Sequence, residues 1–92
     1  MQPLPDMSLL HSFVIVAQEL NFRRSADRLA VDQSALSRRI QRLEASLGYT
    51  LLQRTTREAA LTPAGLELYH GATRLMADYG AAVRDARKIA EG

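Results

Sequence analysis

Ninety-two residues hold at most one domain, and a hydrophobic share of 47% supplies a small core with little margin. There is no run of about 18 apolar residues, which excludes a membrane-spanning helix, and zero cysteines exclude disulfides, thiolate metal sites and thiol catalysis while fitting a reducing cytoplasm. The net charge of +2 conceals a segregation: Leu20 to Arg57 carries eight arginines (Arg23, Arg24, Arg28, Arg38, Arg39, Arg42, Arg54, Arg57) against three acids (Asp27, Asp32, Glu44), a balance of +5, and the remainder carries −3.

The start "MQPLPDMSLL" has no basic stretch followed by an apolar one, so no secretory signal is expected, and residues 1–7 read as a non-helical lead-in. Either Asp6 or Ser8 can cap the first helix. From Ser8 to Glu19, Leu10, Phe13, Val14 and Ala17 recur at helical spacing and predict that helix, with one buried stripe. Asn21 is placed to cap a second helix, roughly 22–30, with Phe22, Ala26 and Leu29 inward. After the very short link "AVD", Asp32 is placed to cap a third helix by accepting from backbone N–H groups near Ser34 and Ala35. Its apolar positions Leu36, Ile40, Leu43 and Leu47 step four, three, four, and Gly48 sits where a terminating glycine belongs. Two helices joined by so short a link meet steeply, as in a helix-turn-helix.

"TLLQRTTREAALT" (50–62) breaks the helical period: Leu51–Leu52 and Ala59–Leu61 flank a polar centre from Arg54 to Glu58, which predicts a two-stranded wing. Thr62-Pro63 then signals a helix start, with threonine as cap and proline in the first helical position. That last helix, about 63–91, carries Leu68, Ala72, Leu75, Tyr79, Ala82, Ala86 and Ile89 at alternating steps of four and three, a heptad seam. A body of some sixty residues cannot bury it, and the small residues Ala72, Ala82 and Ala86 let another helix approach closely. Pairing with a second copy is the expectation, and a helix folded back on its own domain is the alternative. Gly71 and Gly80 each cost about 1 kcal/mol of helix propensity against alanine, which packing must offset.

Catalytic chemistry is not expected. His11 and His70 stand alone on different helices, no Gly-rich phosphate loop, HExxH or nucleophile elbow occurs, and Glu19, Glu44, Glu58 and Glu67 read as scattered, solvated charge. No catalytic residue, metal ligand or cofactor is assigned. Nucleic acid is better supported, because eleven of the twelve basic residues are arginine, the side chain suited to bidentate contact with phosphate and guanine. At about 100° per residue, Leu36, Ile40, Leu43 and Leu47 share a narrow arc and Arg38 points almost opposite to it. Ser34 and Gln41 lie to one side of Arg38 and Arg42 to the other; Ser37 is further round but outside the core, Gln33 projects from the leading turn, and Arg39 lies nearer the buried edge. A helix fits the major groove, where glutamine can pair with adenine, arginine with guanine, and serine with several base edges.

Those residues also carry a resemblance. "LxxFxxVA" is met by Leu10, Phe13, Val16 and Ala17; "F…A…L" by Phe22, Ala26 and Leu29; "SQPALSxxIxxLExxLG" by "DQSALSRRIQRLEASLG"; and "LFxRxxRxxxLTxAG" by "LLQRTTREAALTPAG". Over residues 8 to 68 the chain resembles the N-terminal DNA-binding domain of LysR-type transcriptional regulators. The resemblance implies a mainly α fold: a winged helix-turn-helix (8–62) of three helices and a two-stranded wing, followed by a long dimerising linker helix (63–92). It implies that helix 33–46 enters the major groove, with Gln33, Ser34, Ser37 and Arg38 as base readers. It makes Ser25, Arg42, Arg54 and Thr55 backbone contacts, with Arg57 and the wing (54–58) toward the minor groove. The antiparallel dimer contact would come from Leu68, Ala72, Leu75, Tyr79, Ala82, Ala86 and Ile89. The partners implied are double-stranded promoter DNA with a partial inverted repeat, a second copy of the chain, tetramers in a full-length protein, and a small-molecule effector bound only through a C-terminal domain beyond this chain. The setting implied is bacterial, cytoplasmic and nucleoid-associated, with no membrane. The chain departs from the family pattern in three places: Asp32 stands where serine is common, Ser34 replaces a frequent proline, and Glu58 puts an acid beside Arg57. From a different class, a helical dimerisation or protein-interaction module, its basic patch meeting an acidic partner, is the competing reading.

Overall fold

In the computed structural model, which describes residues 4–55 and 58–92, four helices and one hairpin run in order along the chain. They are α1 (Met7–Glu19), α2 (Phe22–Leu29), α3 (Gln33–Leu47), β1 (Leu52–Arg54), β2 (Ala59–Leu61) and α4 (Pro63–Glu91). Asp6 is the cap of α1: its carboxylate accepts from the Ser8 N–H at 2.8 Å and the Ser8 hydroxyl at 2.9 Å. The same two bonds, the backbone one foremost, hold the Asp6 carboxyl below the ordinary aspartate range.

α1 departs from the single buried stripe its periodicity predicts. Ser12 through Ala17 are buried without a break, because α2, α3 and α4 all pack against this helix. Over the covered stretch such a helix keeps no polar face, while Ser8, His11 and Gln18 remain exposed outside it. Its Phe13 and Val16 join Phe22, Ala26, Leu36, Ile40, Leu43, Leu51 and Leu52 in one core. Phe13, Leu36, Leu43 and Leu51 are fully buried, each contributing about 1.5–3 kcal/mol on leaving water.

Asn21 caps α2 as its position predicts, accepting from the Arg24 N–H at 2.8 Å. The helix ends at Leu29 rather than Ala30, since Ala30 adopts a left-handed conformation (φ 56°). There its N–H donates to the Asp27 carbonyl and the Val31 N–H to the Ala26 carbonyl, the wrapped ending usually given to glycine. That conformation costs a residue with a Cβ about 1–2 kcal/mol. Ala30 is exposed, so Ala30→Gly should raise stability by about 1 kcal/mol, or about 4–8 °C in the thermal midpoint. A lowered midpoint in calorimetry would contradict the strain assigned to Ala30.

Asp32 takes the cap position of α3 in backbone conformation only. Its carbonyl accepts from the Leu36 N–H, but its side chain makes no capping bond, contrary to the expectation from sequence. The exposed carboxylate is solvated instead, which leaves the first-turn N–H groups of α3 unpaired with it. At the other end Gly48 supplies the left-handed residue (φ 86°) that turns the chain toward the wing.

Glu44, expected to be mere surface charge, anchors that wing. One carboxylate oxygen accepts from the backbone N–H groups of both Leu51 and Leu52, at 2.6 and 3.2 Å. β1 and β2 pair antiparallel with Leu52 opposite Leu61 and Arg54 opposite Ala59, so Arg54 belongs to a strand rather than to the loop. The Ala59 N–H donates to the Leu20 carbonyl, tying the hairpin base to the α1–α2 link. Thr62 caps α4 by accepting from the Gly65 N–H at 2.9 Å while its hydroxyl donates to the Thr50 carbonyl at 2.8 Å.

Along α4 the heptad seam divides. Ala72 is 2% exposed: it is already covered within the single chain, which takes it off the surface that a second copy could touch. Leu68 is half-buried against the core. Beyond them Leu75, Tyr79 and Ile89 are 49%, 64% and 85% exposed, and Ala82 and Ala86 are exposed as well. The alternative of a folded-back helix therefore describes only the first part of α4. No helix among the described residues is long and apolar enough to cross a membrane.

Candidate nucleic-acid interface

The surface of α3 is set by its period. Leu36, Ile40 and Leu43 are buried, and a right-handed turn of about 100° per residue sends the polar set outward. Gln33, Ser34, Arg38, Gln41 and Arg42 are all exposed and Ser37 is half-buried. Six side chains able to donate to base edges or phosphates thus share one outward face. Arg39 stands apart: half-buried, it donates to the Ser12 hydroxyl on α1 at 3.3 Å, so it ties α3 to the core.

The wing is joined to this face through a side chain. The Arg54 guanidinium lies over the Phe22 ring at 3.7 Å from its centroid and donates to the Ser37 hydroxyl at 2.7 Å. Thr55 closes the hairpin: its hydroxyl donates to the Glu58 carbonyl at 3.2 Å and accepts from the Glu58 N–H at 3.1 Å. Arg57, the residue expected at the minor groove, lies outside the described residues.

Ser25 does not belong to this surface. It is 0% exposed and its hydroxyl donates to the Asn21 carbonyl at 2.7 Å, one turn back in the same helix. A phosphate cannot reach it without unpacking α2, so the backbone contact expected of it is withdrawn. Arg23, one of the eight clustered arginines, has no role that its sequence position reveals. It is exposed and shares a polar groove with Asn21, Phe22, Gln33, Arg54, Thr55 and Glu58, between the starts of α2 and α3 and the wing. Only the orientation of α2 against α3 distinguishes Arg23 from Arg24, which instead turns back toward Glu19 at 3.5 Å.

A polar helix face with an adjoining basic wing is the geometry that double-stranded nucleic acid accommodates. Comparison with known proteins bears on it directly. Residues 7–66 match the family described as "Bacterial regulatory helix-turn-helix protein, lysR family". The chain is 44% identical over 82 residues to the "Probable hydrogen peroxide-inducible genes activator" of Streptomyces viridosporus, covering 89% of this chain and 26% of that protein. It is 41% identical over 87 residues to the "HTH-type transcriptional regulator BudR" of Klebsiella aerogenes, covering 95% of this chain and 61% of that protein. The chain therefore spans about a quarter and about three-fifths of these two relatives. Its fold superposes with a TM-score of 0.91 on the BenM DNA-binding domain in a crystal structure with catB site 1 DNA, at 38% identity, covering 96% of this chain and 99% of that one. With four helices, an antiparallel wing and this match over most of its length, the chain belongs to the LysR family of bacterial regulatory helix-turn-helix proteins, as a LysR-type DNA-binding domain.

Proposed function

We propose that this chain reads promoter DNA for a bacterial transcriptional regulator, as a homodimer on a partial inverted repeat, with residues 8–62 as the reading unit and 63–92 as the linker. One observation carries the reading: the exposed face of α3 gathers Gln33, Ser34, Arg38, Gln41 and Arg42 opposite a sealed apolar stripe. Gln33, Ser34, Ser37 and Arg38 face base edges in the major groove, and Arg42, Arg54 and Thr55 hold phosphates. Arg57 extends the wing toward the minor groove, a role that rests on its place in the sequence. Leu75, Tyr79, Ala82, Ala86 and Ile89, with the edge of Leu68, meet the second copy. The work is binding rather than catalysis, done in the cytoplasm on the nucleoid. In a longer protein an effector acts through a further domain, and dimers can pair into tetramers.

Binding measured against salt tests this reading. Each phosphate neutralised contributes about −0.9 to the slope of log affinity against log salt. A steep negative slope, together with one duplex outcompeting random DNA, supports it. A basic patch that serves an acidic protein would give the slope without the preference. Within α3, Arg38→Ala should cost about 1–3 kcal/mol at one base pair and relax the preference there. Arg39→Ala should lose clearly less DNA affinity, because its guanidinium is engaged with Ser12. Equal losses in a binding assay would refute the assignment.

A further inference from the structure

Holding a phosphate occupies only part of the Arg54 guanidinium. One terminal nitrogen donates to the Ser37 hydroxyl at 2.7 Å, and the guanidinium carbon lies over the Phe22 ring, 3.7 Å from its centroid. Phe22 is itself buried in the core. A planar cation held over an aromatic face keeps less freedom than one in water. The contact therefore joins a fixed donor on the wing to a hydroxyl on the recognition helix, across 17 residues of sequence.

A serine hydroxyl has one proton to donate and two lone pairs to accept with, and it rotates to suit its neighbours. With Arg54 donating into one lone pair, the hydroxyl hydrogen must point away from the guanidinium. The adjacent positive charge also makes the hydroxyl a stronger donor and a weaker acceptor. In the major groove the acceptors are guanine N7 and O6, adenine N7 and thymine O4, whereas cytosine offers an amino donor. We propose that Arg54 is a positioning residue for specificity: it sets Ser37 to donate, so that Ser37 selects a base presenting an acceptor and disfavours cytosine. This inference rests on the placement of α3 in the major groove. It adds to Arg54 a role that a phosphate contact alone does not have.

The test is a competition panel built on a duplex that the unaltered chain prefers, with each base pair of the half-site varied in turn. Ser37→Ala identifies the base pair that Ser37 reads, as the position where preference flattens by about fivefold or more. Arg54→Lys keeps the charge for phosphate but loses the planar fork and the ring contact. The expected result is that Arg54→Lys flattens preference at that same base pair, and that the Ser37→Ala, Arg54→Lys double variant flattens it no further. Circular dichroism of each variant checks that the fold persists, and the unchanged preference elsewhere in the site serves as an internal control. If Arg54→Lys lowers affinity equally on every duplex and leaves the Ser37 position intact, Arg54 is a phosphate contact alone and the proposal fails. If Ser37→Ala changes no base preference, the placement of Ser37 at a base edge fails first, and the role of Arg54 in selection fails with it.

Discussion

The double variant Leu75→Glu, Ala82→Glu is expected to sediment as a monomer, and the unaltered chain at the same concentration as the proposed dimer. Leu75 is 49% exposed and borders an apolar groove lined by Leu4, Met7, Leu10, Leu43, Leu47 and Leu68. Further along the same helix Tyr79, Val83 and Ile89 stand in water. Burying a leucine or isoleucine yields about 1.5–3 kcal/mol, while a carboxylate forced into such a contact carries a desolvation penalty instead. Neither position lies in the buried core of the single chain, so the monomer should keep its fold. Two half-sites read by unlinked monomers lose the effective concentration that pairing supplies, and affinity for an inverted repeat should fall about 10²–10⁴-fold. A chain that stays dimeric would show that the seam lies elsewhere on α4.

Gly65→Ala is expected to lower stability by about 2 kcal/mol, although helix propensity alone predicts a gain of about 1 kcal/mol. The helix α4 starts so close to the chain entering β1 that a Cβ at position 65 would collide with the Leu51 carbonyl oxygen. That oxygen accepts from the Thr62 N–H at 3.0 Å, so it cannot move aside without breaking the junction between wing and helix. Overpacking in a relaxable core costs about 1–3 kcal/mol, and against a hydrogen-bonded backbone the upper end applies. Gly71 is the contrast, because a Cβ there meets nothing nearer than the end of the Arg74 side chain. Gly71→Ala should therefore return up to about 1 kcal/mol. In thermal unfolding the first variant should fall by roughly 10 °C and the second rise by a few degrees. Two shifts of the same sign would contradict the close approach at Leu51.

Much of this is legible in the sequence where the cause is local. Asn21, Thr62-Pro63 and Gly48 mark helix ends because each acts on backbone within four residues of itself. The working face of α3 is legible because four apolar positions fix the rotation of a helix, and the side opposite them then has nowhere to go but out. The features that sequence alone misjudges depend on a second element. Ser25 lies among polar neighbours in "RRSADR", yet α2 is rotated to bury it. Glu44 looks like any surface glutamate until the chain folds back after Gly48 and brings two N–H groups to it. Ala72 keeps the heptad step perfectly, but the fold of the single chain already buries it. The buried run on α1 has the same origin, since periodicity reports one neighbour and this helix has three. Arg54 shows the limit most clearly: the family resemblance implies a phosphate ligand, and only the fold sets it between Phe22 and Ser37.

Selection of bound duplexes from a random pool by the unaltered chain tests sequence-specific reading by α3 most directly. The expected outcome is a single enriched motif with partial inverted symmetry. Its defined positions should lose definition one by one in the Arg38 and Ser37 variants, and the spacing between its halves should be constant. Retention of DNA at low salt with no enriched motif would contradict specific reading, because the basic surface would then bind phosphate without distinguishing bases.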